Sequence, residues 1–173
     1  MMLKYLNLVS LFILGINFVQ CHDAAQEKFS ETEFNQMADE VSQGSVPDIS
    51  VDQLHKAKAS FILLDCREKA EFAISHLEGA RWVGFDDFDL LRVKDLPKNT
   101  KIVTYCTVGW RSERIGEKLQ KAGYTQVQNL HGSIFKWMNE GYPVVDQQGK
   151  TTKQVHVYSS KYRKYAKSKE VVY

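Results

Sequence analysis

Across 173 residues, 43% hydrophobic and 25% charged positions suit one globular domain with one core, plus tails. Three cysteines are too few for a disulfide framework, and no Cys-x-x-Cys or His-x-x-x-His spacing offers a metal site. The formal net charge of +2 neither favours nor excludes an acidic partner, but it hides an asymmetry: residues 22–45 carry six acids against Lys28, and residues 150–173 carry seven bases against Glu170.

Residues 1–21 read as an export signal. Lys4 gives a basic start, and Leu8 to Val19 is an apolar run interrupted by Ser10, Gly15 and Asn17. The run is too short for a membrane span and suits a signal core. Cys21 follows in Phe18-Val19-Gln20-Cys21, which resembles the lipobox of bacterial lipoproteins, although Gln20 stands where Gly, Ala or Ser is usual. Three readings stay open: Cys21 is lipidated and tethers the chain to a membrane, the signal is simply cleaved after it, or, least favoured, the segment stays as an uncleaved anchor. Export is common to the first two, which place the protein in the periplasm or on a membrane as an anchored lipoprotein.

Residues 22–45 form an acidic spacer or a short helix, because Phe29, Phe34, Met37, Ala38 and Val41 recur at near-helical spacing before Gln43-Gly44-Ser45 ends the pattern. From Val46 a regular alternation begins. Val46 to Val51 reads as a strand, and Ser50 is placed to cap a helix reaching about Ala57. Phe61 to Cys66 is a continuous apolar run suited to an inner parallel strand. Glu68 to Ala73 reads as helix, Arg81-Trp82-Val83 as strand, and Asp86 to Val93 as helix. Val127 to Leu130 gives the last strand and Ser133 to Asn139 the closing helix, which Gly141-Tyr142-Pro143 terminates. Strands alternating with short helices imply an α/β domain with a parallel sheet over residues 46–146.

The chemistry concentrates in Lys101 to Ser112. Its first half is a short β-branched strand, and its second half opens an amphipathic helix carrying Ile115, Leu119 and Ala122, with Gly123 as the stop. Cys106 therefore sits where a strand ends and a helix is about to begin. Unpaired backbone N–H groups and the helix dipole at such a turn favour an anion, so a thiolate is stabilised there. Gly109 permits the tight backbone, and Arg111 adds a permanent charge with a forked donor set.

Cys-x-x-Gly-x-Arg-Ser after an apolar strand resembles the active-site loop of the rhodanese family of sulfurtransferases. Asp65-Cys66-Arg67-Glu68 with Glu71-Phe72 and His76-x-x-Gly79-Ala80 is similar to that family's first signature, and Leu130-x-Gly132 followed by Trp137 and Gly141-Tyr142-Pro143 is similar to its ending. Ser133 stands where a second glycine is usual, and Leu77-Glu78 replaces Ile-Pro. Both changes lie outside the catalytic loop.

The resemblance implies a rhodanese-like three-layer α/β/α fold with a central parallel sheet of about five strands. It implies that Cys106 carries a sulfane sulfur as a persulfide, taken from thiosulfate or a persulfide donor and passed to a thiol or cyanide. Thr107, Val108, Gly109, Trp110, Arg111 and Ser112 would form the loop around it, and Asp65 and Arg67 would brace the loop. Four residues separate Cys106 from Arg111, whereas related phosphatases of this fold have five, so the loop is the narrower kind.

Alternatives remain open at this level. The domain could be a non-catalytic binding module, or a phosphatase or arsenate reductase on the same fold. Arg111 could serve the loop or simply pair with a carboxylate such as Glu71, and Ser112 could face the sulfur or cap the helix. Cys66 ends an apolar strand and reads as core. His76, His131 and His156 read as turn or surface residues. No cofactor is called for. Residues 147–173 read as a basic tail whose Val155 to Tyr158 could add an edge strand or drape over the domain. Its interleaved tyrosines and bases could meet nucleic acid or anionic lipid, but an exported protein seldom meets nucleic acid, and no such partner is expected.

Overall fold

The computed structural model describes residues 29–173, so the readings of residues 1–21 as a signal and of Cys21 as a lipidation site lie outside the described residues. Five strands form one parallel sheet: β1 (Asp48–Ile49), β2 (Ile62–Asp65), β3 (Arg81–Trp82), β4 (Lys101–Tyr105) and β5 (Gln126–Leu130), in the order β1-β5-β4-β2-β3. Helices α1 (Glu31–Val41), α2 (Val51–Ala57), α3 (Lys69–Ile74), α4 (Trp110–Lys121) and α5 (Ser133–Asn139) complete a three-layer α/β/α architecture.

Successive side chains along the inner strands point to opposite layers, as strand geometry requires. Leu63, Val103, Tyr105 and Leu130 pack with Phe34, Leu54, Ile134 and Trp137 of α1, α2 and α5. Leu64, Ile102 and Val127 pack on the other side with Ile115 and Leu119 of α4. Cys66 and Cys106 belong to this second layer, each just past the C-terminal end of its strand. From β2 the chain passes through α3 to β3 on one side, and from β4 it passes through α4 to β5 on the other. The crevice beyond β2 and β4 is thus the point where the connections diverge, the usual place for a site in an open parallel sheet.

Local chemistry explains most element ends. Ser30 and Ser50 each accept from the backbone N–H of the third helical residue, while Glu33 and Gln53 reach back to the cap N–H. Helix α4 stops at Lys121, and Gly123 follows in the left-handed region at φ +90°. The expected first strand is confined to Asp48–Ile49 because Ser50 already caps α2. The helix expected over Asp86 to Val93 is only a 3₁₀ turn, Leu90–Val93, because the Asp89 carboxylate accepts from Leu91 N–H and starts the turn that late.

Residues 22–45 and 147–173 divide differently from their charge. Within the described part of the acidic stretch, α1 buries Phe34, Met37 and Ala38 against the core, and a buried phenylalanine alone contributes about 1.5–3 kcal/mol. After the antiparallel pair β6 (Val144–Val145) and β7 (Thr151–Thr152), the basic segment forms a parallel pair, β8 (Val155–His156) with β9 (Val171–Val172), on either side of a 3₁₀ turn at Ser160–Tyr165. The basic segment thus drapes over the domain, one of the arrangements left open for Val155 to Tyr158. Val155, Val157 and Ala166 enter the core, and Tyr165 meets Phe29 and Phe34 edge-on, while most of the lysines stay exposed. Among the described residues no helix is long and apolar enough to cross a membrane.

Candidate active site

Strand β4 delivers Cys106 to the crevice, and α5 sets the polarity of the loop that follows. Ile134 N–H donates to Cys106 O and Phe135 N–H to Thr107 O, both at 3.2 Å. With those carbonyls engaged outward, the loop can turn N–H groups toward the sulfur. Gly109 N–H lies 3.2 Å from Cys106 Sγ. The bend requires Gly109 at φ +126°, where a side chain would be strained. The Ser112 hydroxyl lies 3.0 Å from Gly109 O and 2.7 Å from Asn129 Oδ1, and has a single proton to share among these and the sulfur, whose pKa Ser112 helps to lower.

Burial by itself pushes the Cys106 thiol up. The Arg111 charge and the donors of Ser112 and Gly109 outweigh it, so the net direction is below the ordinary thiol value. Cys66 goes the opposite way. Burial raises it well above the usual thiol range, the neighbouring Cys106 and Asp65 push it further up, and its Sγ faces Leu64 O at 3.6 Å. Two buried cysteines at the ends of adjacent strands are thus shifted in opposite directions, Cys106 toward the thiolate and Cys66 toward the thiol.

Arg111 combines the two roles the sequence left open. Its Nη1 and Nη2 fork onto Glu71 at 2.7 and 2.8 Å, and Nη2 also donates to Thr107 Oγ1 at 2.8 Å. Burial pushes the Glu71 carboxyl up, but the Arg111 bonds and charge hold it below the usual carboxylate range. Arg111 therefore anchors Thr107 and the loop, and acts on Cys106 through its field. Asp65 and Arg67, expected to brace the loop, are instead paired with each other at the end of β2. The Arg67 N–H, Nε and Nη2 all donate to Asp65, and Nη2 reaches Ser75 O at 2.5 Å. Val108 is buried, and Trp110 stands exposed at the rim against Phe85. Among the described residues no cluster of three His, Cys, Asp or Glu side chains is placed to hold a metal ion.

Cys106 borders a cavity of about 330 Å³. The loop residues Cys106, Thr107, Val108, Trp110 and Arg111 form one side; Val41 of α1 and Tyr158, Lys161 and Tyr162 of the C-terminal segment form the other. Neither end of the chain had been assigned to the site from sequence. Ser133, set aside as lying outside the loop, in fact accepts from Cys106 N–H at 3.0 Å and donates to Leu130 O at 3.2 Å. It does so in the left-handed region at φ +53°, where a residue with a Cβ bears about 1–2 kcal/mol of strain. The hydroxyl repays that strain by satisfying a buried N–H. The sequence signal was the substitution itself, serine in place of an expected glycine.

Two expectations follow. Ser133→Ala orphans the Cys106 N–H and costs about 1–3 kcal/mol in chemical denaturation; Ser133→Gly is less damaging, because the glycine releases the backbone strain. Equal stability of Ser133→Ala and the parent would show that this bond carries no weight. For the sulfur, the pH midpoint of Cys106 alkylation lies below that of a free thiol. Glu71→Gln removes a negative charge from Arg111's side and lowers the midpoint further, whereas Glu71→Gln with Arg111→Gln removes both charges and raises it. Movement in the other direction in either case contradicts the assigned electrostatics.

Comparison with known proteins agrees with this geometry. The family model for the rhodanese-like domain matches residues 50–140. A sulfurtransferase of Allochromatium vinosum is 33% identical over 88 residues, spanning 51% of this chain and 81% of that protein. A tRNA uridine(34) hydroxylase of Leptospira interrogans is 34% identical over 105 residues, but the match spans 58% of this chain and only 28% of that protein. The crystal structure of a rhodanese-related protein from Thermoplasma volcanium superposes with a TM-score of 0.51 at 28% identity, covering 57% of this chain and 97% of that one. With the matched span enclosing β2 to β5 and the whole Cys106 loop, the chain belongs to the family of rhodanese-like domains.

Proposed function

We propose that this protein is a sulfurtransferase that moves a sulfane sulfur through a persulfide on Cys106. The observation that carries this reading is the Cys106 sulfur itself, whose pKa is lowered although it is buried, with the Gly109 N–H 3.2 Å away and the Arg111 charge beside it. A thiolate prepared in this way needs no general base.

With thiosulfate as donor, the Cys106 thiolate attacks the outer sulfur. An S–S bond to Cys106 forms, and the bond to the sulfonate sulfur breaks, its electron pair leaving with sulfite. The product Cys106–S–S⁻ places the new negative charge farther into the loop, where N–H donors stabilise it as an oxyanion hole stabilises oxygen. A cyanide ion or an acceptor thiolate then attacks the outer sulfur, and Cys106 departs as thiolate, ready for another cycle. The four-residue interval from Cys106 to Arg111 and the outward carbonyls keep the ring of amides small, which suits one sulfur better than a tetrahedral phosphate.

Mass spectrometry of the protein after incubation with thiosulfate tests the reaction. We expect a gain of one sulfur on the Cys106 peptide, loss of that gain and of thiocyanate formation in Cys106→Ser, and retention of most activity in Cys66→Ser. Equal loss in both folded variants would make Cys66 a reacting thiol and overturn its assignment as inert.

The working location proposed with this function is outside the cytoplasm, in the periplasm or on a membrane through Cys21. Its support is the sequence of residues 1–21, with Lys4, the apolar run to Val19 and Cys21 in order. Cell fractionation of the parent and Cys21→Ala decides it. A parent held in the membrane with a soluble, processed variant supports the tether, while full-length protein in the cytosol rejects export.

A further inference from the structure

We propose that Lys161 is the anion receptor of the Cys106 pocket, so that the C-terminal segment selects negatively charged partners for the sulfur. As a statement about the sulfur donor this rests on the sulfur-transfer reading; as a statement about charge at the pocket it stands separately.

The argument begins with the cation that the loop already has. Arg111 presents both terminal nitrogens to Glu71, and the Tyr158 ring covers the guanidinium with its centroid 4.3 Å from Cζ. Its charge is balanced by the Glu71 carboxylate, and its donor fork is occupied. With the Cys106 thiolate added, this trio carries a net charge of −1. An anionic reactant approaching the sulfur is repelled unless another cation offsets that charge.

Among the described residues, Lys161 is the other basic side chain lining the cavity, and no carboxylate lines it. Its ammonium sits 4.6 Å from the centroid of the Tyr162 ring, and the side chain is exposed to solvent at the mouth. An ammonium presented this way remains available to an incoming anion while its stem is steadied by the ring.

The position of Lys161 is built into the fold on both sides. Upstream, Val155 and Val157 are buried, and Val157 N–H donates to Val172 O at 3.0 Å. Tyr158 is then held at φ +59°, a region a tyrosine rarely adopts, with its N–H on His156 Nδ1 at 3.0 Å. That bend sends the chain across the pocket and sets Tyr158 over Arg111. Downstream, Ala166 is buried, and the Asn139 side chain donates to Tyr165 O at 2.8 Å and accepts from Lys167 N–H at 2.9 Å. A strap pinned at both ends keeps Lys161 at the mouth.

The test compares two alkylating reagents that differ in charge, iodoacetate and neutral iodoacetamide, with labelling at Cys106 quantified by peptide mass spectrometry at low ionic strength. We expect the ratio of iodoacetate to iodoacetamide rates to fall about 3- to 10-fold in Lys161→Ala, further in Lys161→Glu, and to recover in Lys161→Arg. Added salt should compress these differences. An unchanged ratio in Lys161→Ala and Lys161→Glu overturns the proposal. The failure modes stay separate: absence of sulfur gain from thiosulfate in the parent rejects sulfur transfer without touching the alkylation ratio, and a charge-insensitive ratio rejects Lys161 whether or not sulfur is transferred.

Discussion

Two backbone hydrogen bonds, from Ile134 and Phe135 at the start of α5 to the carbonyls of Cys106 and Thr107, decide what the loop after β4 can do. In a planar trans peptide unit the C=O and the N–H point in opposite directions. Because α5 takes those carbonyls, the loop can close around the sulfur with donors rather than acceptors. The requirement reaches back into the sequence. It calls for Gly132 and Ser133, both at positive φ, to bring the first turn of α5 under the loop. At Gly132 an added Cβ would lie 2.7 Å from Phe34 Cε1, so α1 also presses on this junction.

The site's electrostatics follow from the same economy of space. A buried guanidinium is stable only with a partner, and Glu71 provides it from α3, across the crevice. That pair is close to neutral at a distance, yet Arg111 stands nearer the sulfur in effect and lowers the Cys106 thiol. Cys66, one strand away, has burial without comparable donors and moves in the opposite direction. Both sulfurs are buried, so the contrast comes first from charge, Arg111 beside Cys106 and Asp65 beside Cys66, and then from the donors of Ser112 and Gly109.

The C-terminal segment illustrates how charge count can mislead about structure. Seven bases in residues 150–173 suggest a solvated tail. The alternation of Val155, His156 and Val157 is the feature that mattered, because period-two patterning lets a polar segment bury one side while its lysines face water. The acidic stretch at the other end behaves alike, with Phe34 and Met37 turned inward from α1. Both segments then reach the Cys106 cavity.

What the sequence determined by itself was local or carried by tight spacing. The alternation of strands and helices, the Ser50 and Gly123 boundaries, and the placement of Cys106 between β4 and α4 all depend on contacts within a few residues. The interval from Cys106 to Arg111 set the loop's size for the same reason. Only the tertiary structure decided which distant groups complete the site. Ser133 reaches Cys106 N–H, Glu71 meets Arg111, and Tyr158 and Lys161 close the far wall, across separations of 27, 40 and about 50 residues. Such meetings depend on strand order and on where buried valines pin the chain. No local pattern encodes them, because the same residues on another sheet topology would face different neighbours.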